Sequence, residues 1–153
     1  MSNFVTKEIT DKNQIPWELL LDADPSRKVV EEYLLDGKLY GAYLKENLVG
    51  EYVLVKLSNT VWELKNIAVA VQQRGKGFGK MIVMDAINKA RGFGAKRIEV
   101  GTGNSSLNNI AMYQKCGFKI IGIEKDFFVK NYKEEIIENG IKCTDMIRMT
   151  LEL

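Results

Sequence analysis

Three glycines at alternate positions, Gly75, Gly77 and Gly79, stand between an apolar β-branched run and a helical pattern. That succession constrains the fold more than any other stretch of the chain. Ile67-Ala68-Val69-Ala70-Val71 reads as a strand. Met81-Ile82-Val83-Met84-Asp85-Ala86-Ile87 reads as a helix. A strand that passes through a glycine-rich loop into a helix leaves backbone N–H groups pointing outward at the helix N-terminus. The helix dipole adds partial positive charge there, so the place suits an anion, most often a phosphate. Arg74, Lys76 and Lys80 bring full charges to the same loop.

Two common phosphate loops do not fit. A P-loop needs G-x-x-x-x-G-K-[ST], and here Gly79-Lys80 is followed by Met81, so the magnesium-binding hydroxyl is missing. A dinucleotide loop needs G-x-G-x-x-G. Counting from Gly75 the last position is Lys80, and from Gly77 it is Ile82. The spacing that fits is Q/R-x-x-G-x-G/A, met by Arg74-Gly75-Lys76-Gly77-Phe78-Gly79. With Asn66-Ile67-Ala68-Val69 before it, this segment resembles the acetyl-CoA pyrophosphate loop of the GNAT superfamily of N-acetyltransferases. A second segment agrees. Asn104, Tyr113, Gly117 and Phe118 match that family's N…A-x-x-x-Y-x-x-x-G-F pattern, although the span from Asn104 to Tyr113 runs slightly longer than its common form.

The resemblance implies an α+β (mixed α/β) fold: a central, mostly antiparallel, splayed sheet with helices on both faces. It implies one N-acetyltransferase domain over residues 1–153, with acetyl-CoA as the acetyl donor and an amine as acceptor. The backbone of Ile67, Ala68 and Val69 would meet the thioester carbonyl and pantetheine. The pyrophosphate would lie over Gly75, Lys76, Gly77, Phe78, Gly79 and Lys80, beside Arg74. Either Asn104 or Asn108 would reach the cofactor, with Asn104 favoured because it sits just off a strand end. Tyr113 would protonate the departing thiolate. The base would be Glu99, Glu63 or a water. Dimers are common in the family, and the strand over residues 143–151 could pair with a second copy.

The acceptor is the least determined part. Asp126, Phe127, Phe128, Tyr132, Glu134 and Glu135 form an acidic and aromatic stretch that would suit a cationic amine. Trp17 and Tyr33 could line the same cleft. A small-molecule amine leads; a protein N-terminus or lysine is the alternative. A CoA-binding sensor without turnover is the reading from another class.

Composition narrows the chemistry further. The chain has no histidine, which removes Ser-His and Cys-His mechanisms and makes a metal site unexpected. Acid–base work must fall to carboxylates, tyrosine, lysine, backbone or water. Two cysteines, Cys116 and Cys143, lie in different elements and read as free thiols. A net charge of +2, with scattered lysines balanced by acids, argues against nucleic-acid binding. No apolar run reaches the ~20 residues that span a bilayer, and Met1-Ser2-Asn3-Phe4-Val5-Thr6-Lys7-Glu8 is not a signal peptide, so no membrane association and a cytoplasmic location are expected.

The coarse element order follows from periodicity and turn residues. Helices are expected at 17–21 and 27–35, and strands at 38–44, 48–57 and 61–71. A long helix should follow over 77–93, then a strand at 96–102, a helix at 107–116 and a strand at 118–128. Residues 131–138 read as a loop or partial helix, Asn139-Gly140 as a turn, and 143–151 as an edge or end strand.

Overall fold

The computed structural model describes residues 3–153. Met1 and Ser2, which open the stretch read above for a signal peptide, lie outside the described residues. The chain forms β1 (Phe4–Glu8), α1 (Trp17–Ala23), α2 (Arg27–Leu34), β2 (Lys38–Leu44), β3 (Asn47–Lys56) and β4 (Val61–Val69). It continues through α3 (Phe78–Gly92), β5 (Arg97–Gly103), α4 (Leu107–Lys115), β6 (Lys119–Glu124) and α5 (Phe127–Asn131). A two-residue pair, β7 (Ile137–Glu138) and β8 (Ile141–Lys142), precedes β9 (Met146–Glu152).

Seven strands make one sheet in the order β1-β2-β3-β4-β5-β9-β6. Every neighbouring pair is antiparallel except β4 with β5. The two sheet faces carry separate cores. On one face α3 packs Phe78, Ile82, Val83, Ala86 and Ile87 against Tyr52, Leu54, Leu64 and Ile98. On the other, Leu20 of α1 and Val30 of α2 cover Leu39 and Val53. Successive residues of β3 therefore serve opposite cores, as the period of two demands. This is why residues 49–54 form an unbroken buried run.

Local chemistry sets the boundaries. Ser26 caps α2 by accepting the Val29 N–H at 3.3 Å. Asn139 and Gly140 both have positive φ, 56° and 72°, the pairing that a two-residue hairpin turn between β7 and β8 requires. α3 runs fifteen residues with only glycines at its start and end.

Four expectations need correction. Residues 4–8 form a strand that the periodicity did not announce. The strand expected over 61–71 stops at Val69 and yields to a 3-10 turn at 71–73. The strand expected over 118–128 stops at Glu124, and Phe127 and Phe128 open a short helix instead. The strand expected at the sheet edge over 143–151 lies inside it: β9 is hydrogen-bonded to β5 on one side and β6 on the other. It has no edge left for a second copy; β1 and β6 are the strands at the sheet's ends.

No helix among the described residues is long and apolar enough to cross a membrane. Cys116 and Cys143 are both free thiols, as read from their placement, and burial raises the pKa of each.

Candidate active site

The site begins with a bulge. Val53 pairs with Asn66 and Leu54 with Leu64, so Lys65 is an extra residue on β4. A bulge bends and twists its strand. β4 runs beside β5 only over residues 61–64, and past Leu64 and Val100 the two parallel strands part. Ile67, Ala68 and Val69 stay paired to Tyr52, Glu51 and Gly50 of β3, while their opposite edge faces the gap.

The glycine loop sits at the open end of that gap. The Ala70 N–H donates to Val49 O at 2.8 Å, anchoring the loop's start. Gly75 and Gly77 take φ of 75° and 85°, a region that other residues enter only with strain. A Cβ at either would meet nothing within 4 Å, so the loop's outer side is open to a ligand. Gly77 precedes α3 without any side-chain cap, and the first N–H groups of the helix are free for an anion. Gly79 answers a different need: a Cβ there would lie 2.9 Å from Met112 Sδ, where α3 meets α4.

The cations divide. Lys76 and Lys80 are exposed beside the loop. Arg74 is turned away from it: its Nε donates to Val69 O at 3.2 Å and its Nη2 bonds Asp22 Oδ2 at 2.5 Å. Phe78 turns its ring into the core, where it is buried and stacks on Phe4 at 6.1 Å.

Tyr113 projects from α4 and is 2% exposed, edge-on to Phe118 at 5.7 Å. Burial, and then the proximity of the acidic groups of Glu51 and Cys116, push its phenol above the ordinary tyrosine value. The hydroxyl therefore keeps its proton at neutral pH. Asn104 spends its side chain on the chain itself: Oδ1 accepts from the N–H groups of Thr144 and Asp145, and Nδ2 donates to Lys142 O at 3.2 Å. Asn108 is exposed near the start of α4.

Glu63 and Glu99 face each other across β4 and β5, in the paired part of the strands and below the gap. Both are already engaged. Arg148 Nη1 reaches Glu63 Oε2 at 3.2 Å, Lys65 lies 3.8 Å from Oε1, and Arg97 Nη2 lies 3.1 Å from Glu99 Oε2. Arg148 also bonds Glu124 at 2.6 Å. Burial works against the Arg148 charge, but these two carboxylates more than offset it and raise its pKa.

The structure places a different carboxylate beside the gap. Glu51 of β3 is 0% exposed and pairs in register with Ala68. Neither of its side-chain oxygens has a hydrogen-bond partner among the described residues. Burial pushes its carboxyl well above the usual carboxylate range. Asn66, 4% exposed, lies diagonally across from it on the same face. Asn66 Nδ2 donates to Leu20 O at 3.1 Å and to the Tyr33 hydroxyl at 2.8 Å, while its Oδ1 is unpartnered.

Tyr33 continues the chain of contacts by donating to Asp24 Oδ2 at 3.3 Å, and Tyr132 donates to Asp24 Oδ1 at 2.8 Å. Of the expected acceptor-side residues, Tyr33 and Tyr132 thus meet at one carboxylate, with Phe128 packed on Tyr132 at 5.6 Å. Trp17 instead lies under Arg27, 4.0 Å from ring centroid to guanidinium carbon, and Glu134 and Glu135 are exposed. The sequence signal for Glu51 was available but easily passed over: it is the one charged residue inside the apolar run of 48–55.

Among the described residues no group of three or more His, Cys, Asp or Glu could hold a metal ion. Residues 6–118 match the family model for the Acetyltransferase (GNAT) family. A Bacillus subtilis (strain 168) protein named Uncharacterized N-acetyltransferase YvbK is 50% identical over 143 residues, covering 94% of this chain and 92% of that protein. A crystal structure of a GNAT family acetyltransferase from Elizabethkingia anophelis, with acetyl-CoA bound, superposes at a TM-score of 0.96. It is 44% identical, and each chain is covered in full. A Bacillus subtilis acetyltransferase in complex with CoA superposes at 0.93 with 47% identity, covering 98% of this chain and 99% of that one.

Proposed function

The chain belongs to the GNAT acetyltransferase family, and from that premise we propose that it transfers the acetyl group of acetyl-CoA to the primary amine of a small cationic molecule. Residues 1–153 act as one catalytic domain in this reading, because both cores pack on opposite faces of the same sheet.

The donor half of the reading rests on the parted strands and the loop. The freed edge of Ile67, Ala68 and Val69 accommodates the pantetheine and polarises the thioester carbonyl. Each such donor is worth about 3 kcal/mol in other acyl-transfer sites. The pyrophosphate lies over Gly75, Lys76, Gly77, Gly79 and Lys80, with N–H groups at the start of α3 as ligands. Arg74 serves as a strut that ties the loop to Asp22, rather than as a phosphate ligand. Asn108 is the better placed of the two asparagines to reach a cofactor, since Asn104 is occupied.

Tyr113 is the acid. It stays protonated in the resting site and gives its proton to the thiolate as the C–S bond breaks. A phenol raised by burial would be a poor acid toward a hydrated thiolate. A thiolate leaving into the same buried surroundings has its own proton affinity raised, which restores the match.

The acceptor half rests on one observation. The hydroxyls of Tyr33 and Tyr132 converge on Asp24 and join the α1–α2 turn to the segment after α5. In this reading the bridge borders the amine side of the gap and sets aromatic faces around a carboxylate, the surroundings a small organic cation prefers. A protein N-terminus or lysine tail would need that bridge to stay open. The test is thiol release from acetyl-CoA with a panel of small primary amines and a lysine-containing peptide. Release with small amines alone supports the reading; release with the peptide alone overturns it.

A further inference from the structure

Three buried acceptor atoms stand side by side on one face of the sheet: Glu51 Oε1, Glu51 Oε2 and Asn66 Oδ1. All are unpartnered among the described residues. Leaving buried acceptors unmatched costs about 1–3 kcal/mol each, and more for a charged group. Such groups are completed by ordered water, an ion or a ligand, or serve a catalytic role. Acceptors without donors call for a donor-rich ligand, and a primary ammonium offers three N–H bonds and a positive charge.

The position agrees. Glu51 is in register with Ala68 at the parted end of β4, and it is near enough to raise the pKa of both Tyr33 and Tyr113. Those two tyrosines belong to the two sides of the proposed reaction. Glu63 and Glu99 lie in the paired part of the strands and are held by arginines, so a proton taken there would break an ion pair.

We propose that Glu51 is the catalytic residue that holds the acceptor ammonium and takes its proton, with Asn66 Oδ1 as the second acceptor that orients it. This rests on the acetyltransfer reading above. R–NH3⁺ gives one proton to the Glu51 carboxylate and becomes R–NH2. The amine lone pair forms the C–N bond at the thioester carbon. The C–S bond breaks with its electron pair on sulfur, and Tyr113 protonates that sulfur. The protonated amide nitrogen returns a proton to the Tyr113 oxygen, and Glu51 releases its proton to solvent. Asn66 keeps its own orientation through Leu20 O and Tyr33, so Oδ1 points the same way in every turnover.

Burial favours the neutral carboxyl of Glu51, and an ammonium bound against it favours the carboxylate that takes the proton. The neutral folded form is favoured, so the Glu51 contribution is fully present below the unfolded pKa of about 4.3 and is lost as pH rises through the folded value. Glu51→Gln should therefore match the native protein near pH 4 and unfold at a higher temperature at pH 8.

The experiment uses the CoA-bound protein and two simple probes at equal ionic strength, methylammonium and tetramethylammonium chloride. Methylammonium is small enough to enter whatever pocket the natural acceptor uses. At pH 8 it should raise the unfolding temperature of the native protein and not that of Glu51→Gln, while tetramethylammonium should do neither. With methylamine as acceptor, Glu51→Gln should also lose the acidic limb of the kcat/KM pH profile and fall about 100-fold in rate. CoA binding by the variant confirms its fold. Equal responses of the two proteins to methylammonium would overturn the assignment. So would an unaltered pH profile, even if small amines are acetylated. Absence of thiol release with every amine would instead defeat the acetyltransfer reading, and the methylammonium comparison would still decide whether Glu51 binds ammonium.

Discussion

The side-chain amide of Asn66 donates to the hydroxyl of Tyr33 at 2.8 Å, joining the strand that feeds the glycine loop to the second helix. The bulge at Lys65 makes this contact possible, because it turns Asn66 toward the face covered by α1 and α2. The same hydroxyl donates onward to Asp24, so Tyr33 sits between an amide and a carboxylate. Burial, and then the carboxylates near it, raise its pKa and keep it neutral.

Tyr33→Phe should test that link. The variant loses both hydrogen bonds and about 1–2 kcal/mol of stability. It should raise KM for the amine while leaving the acetyl-CoA dissociation constant unchanged. Chemical denaturation and steady-state kinetics at saturating acetyl-CoA read the two effects.

Gly77→Asp should weaken acetyl-CoA binding by more than about tenfold, or ~1.4 kcal/mol. The left-handed φ of 85° strains any side chain, and the new carboxylate would face the pyrophosphate. No neighbouring atom lies within 4 Å of the added Cβ, so the variant should fold. Calorimetric titration with acetyl-CoA measures the loss.

Tyr113→Phe should lower kcat about 100-fold, the scale of a lost proton donor. Its ring still packs on Phe118, so stability and acetyl-CoA affinity should change little. Pre-steady-state kinetics separates slowed thiol departure from slowed product release.

Arg148→Met should cost about 1–3 kcal/mol of stability, because the Glu63 carboxylate beneath it is only 10% exposed and keeps one weaker partner, Lys65. Activity per folded molecule should persist. A large fall in kcat at full folding would return Glu63 to the catalytic step.

What was legible in the sequence was what is local. The strand, glycine loop and helix over 61–92 could be read because each glycine stands where the backbone needs it, and Asn139-Gly140 announced its own hairpin. What was hidden is set by partners far along the chain. The Arg74–Asp22 ion pair could not be read, because nothing local in the sequence brings the two residues together. Asn104 reads as free because nothing local shows that residues 142–145 fold back onto its side chain. The alternation in 143–151 identified a strand but not its neighbours, and β9 is flanked on both sides. Glu51 does not stand out in the sequence, because a lone carboxylate in a strand reads as solvated until burial on both faces of β3 is known.

The most direct measurement is mass spectrometry of a competition. The protein is given acetyl-CoA together with an equimolar mixture of small primary amines and lysine-containing peptides, and the acetylated products are identified. The account predicts acetyl groups on one or a few small amines, none on the peptides, and free CoA released in equal amount. Acetylated peptides with untouched small amines, or no acetylated product from a protein that binds acetyl-CoA, would contradict it.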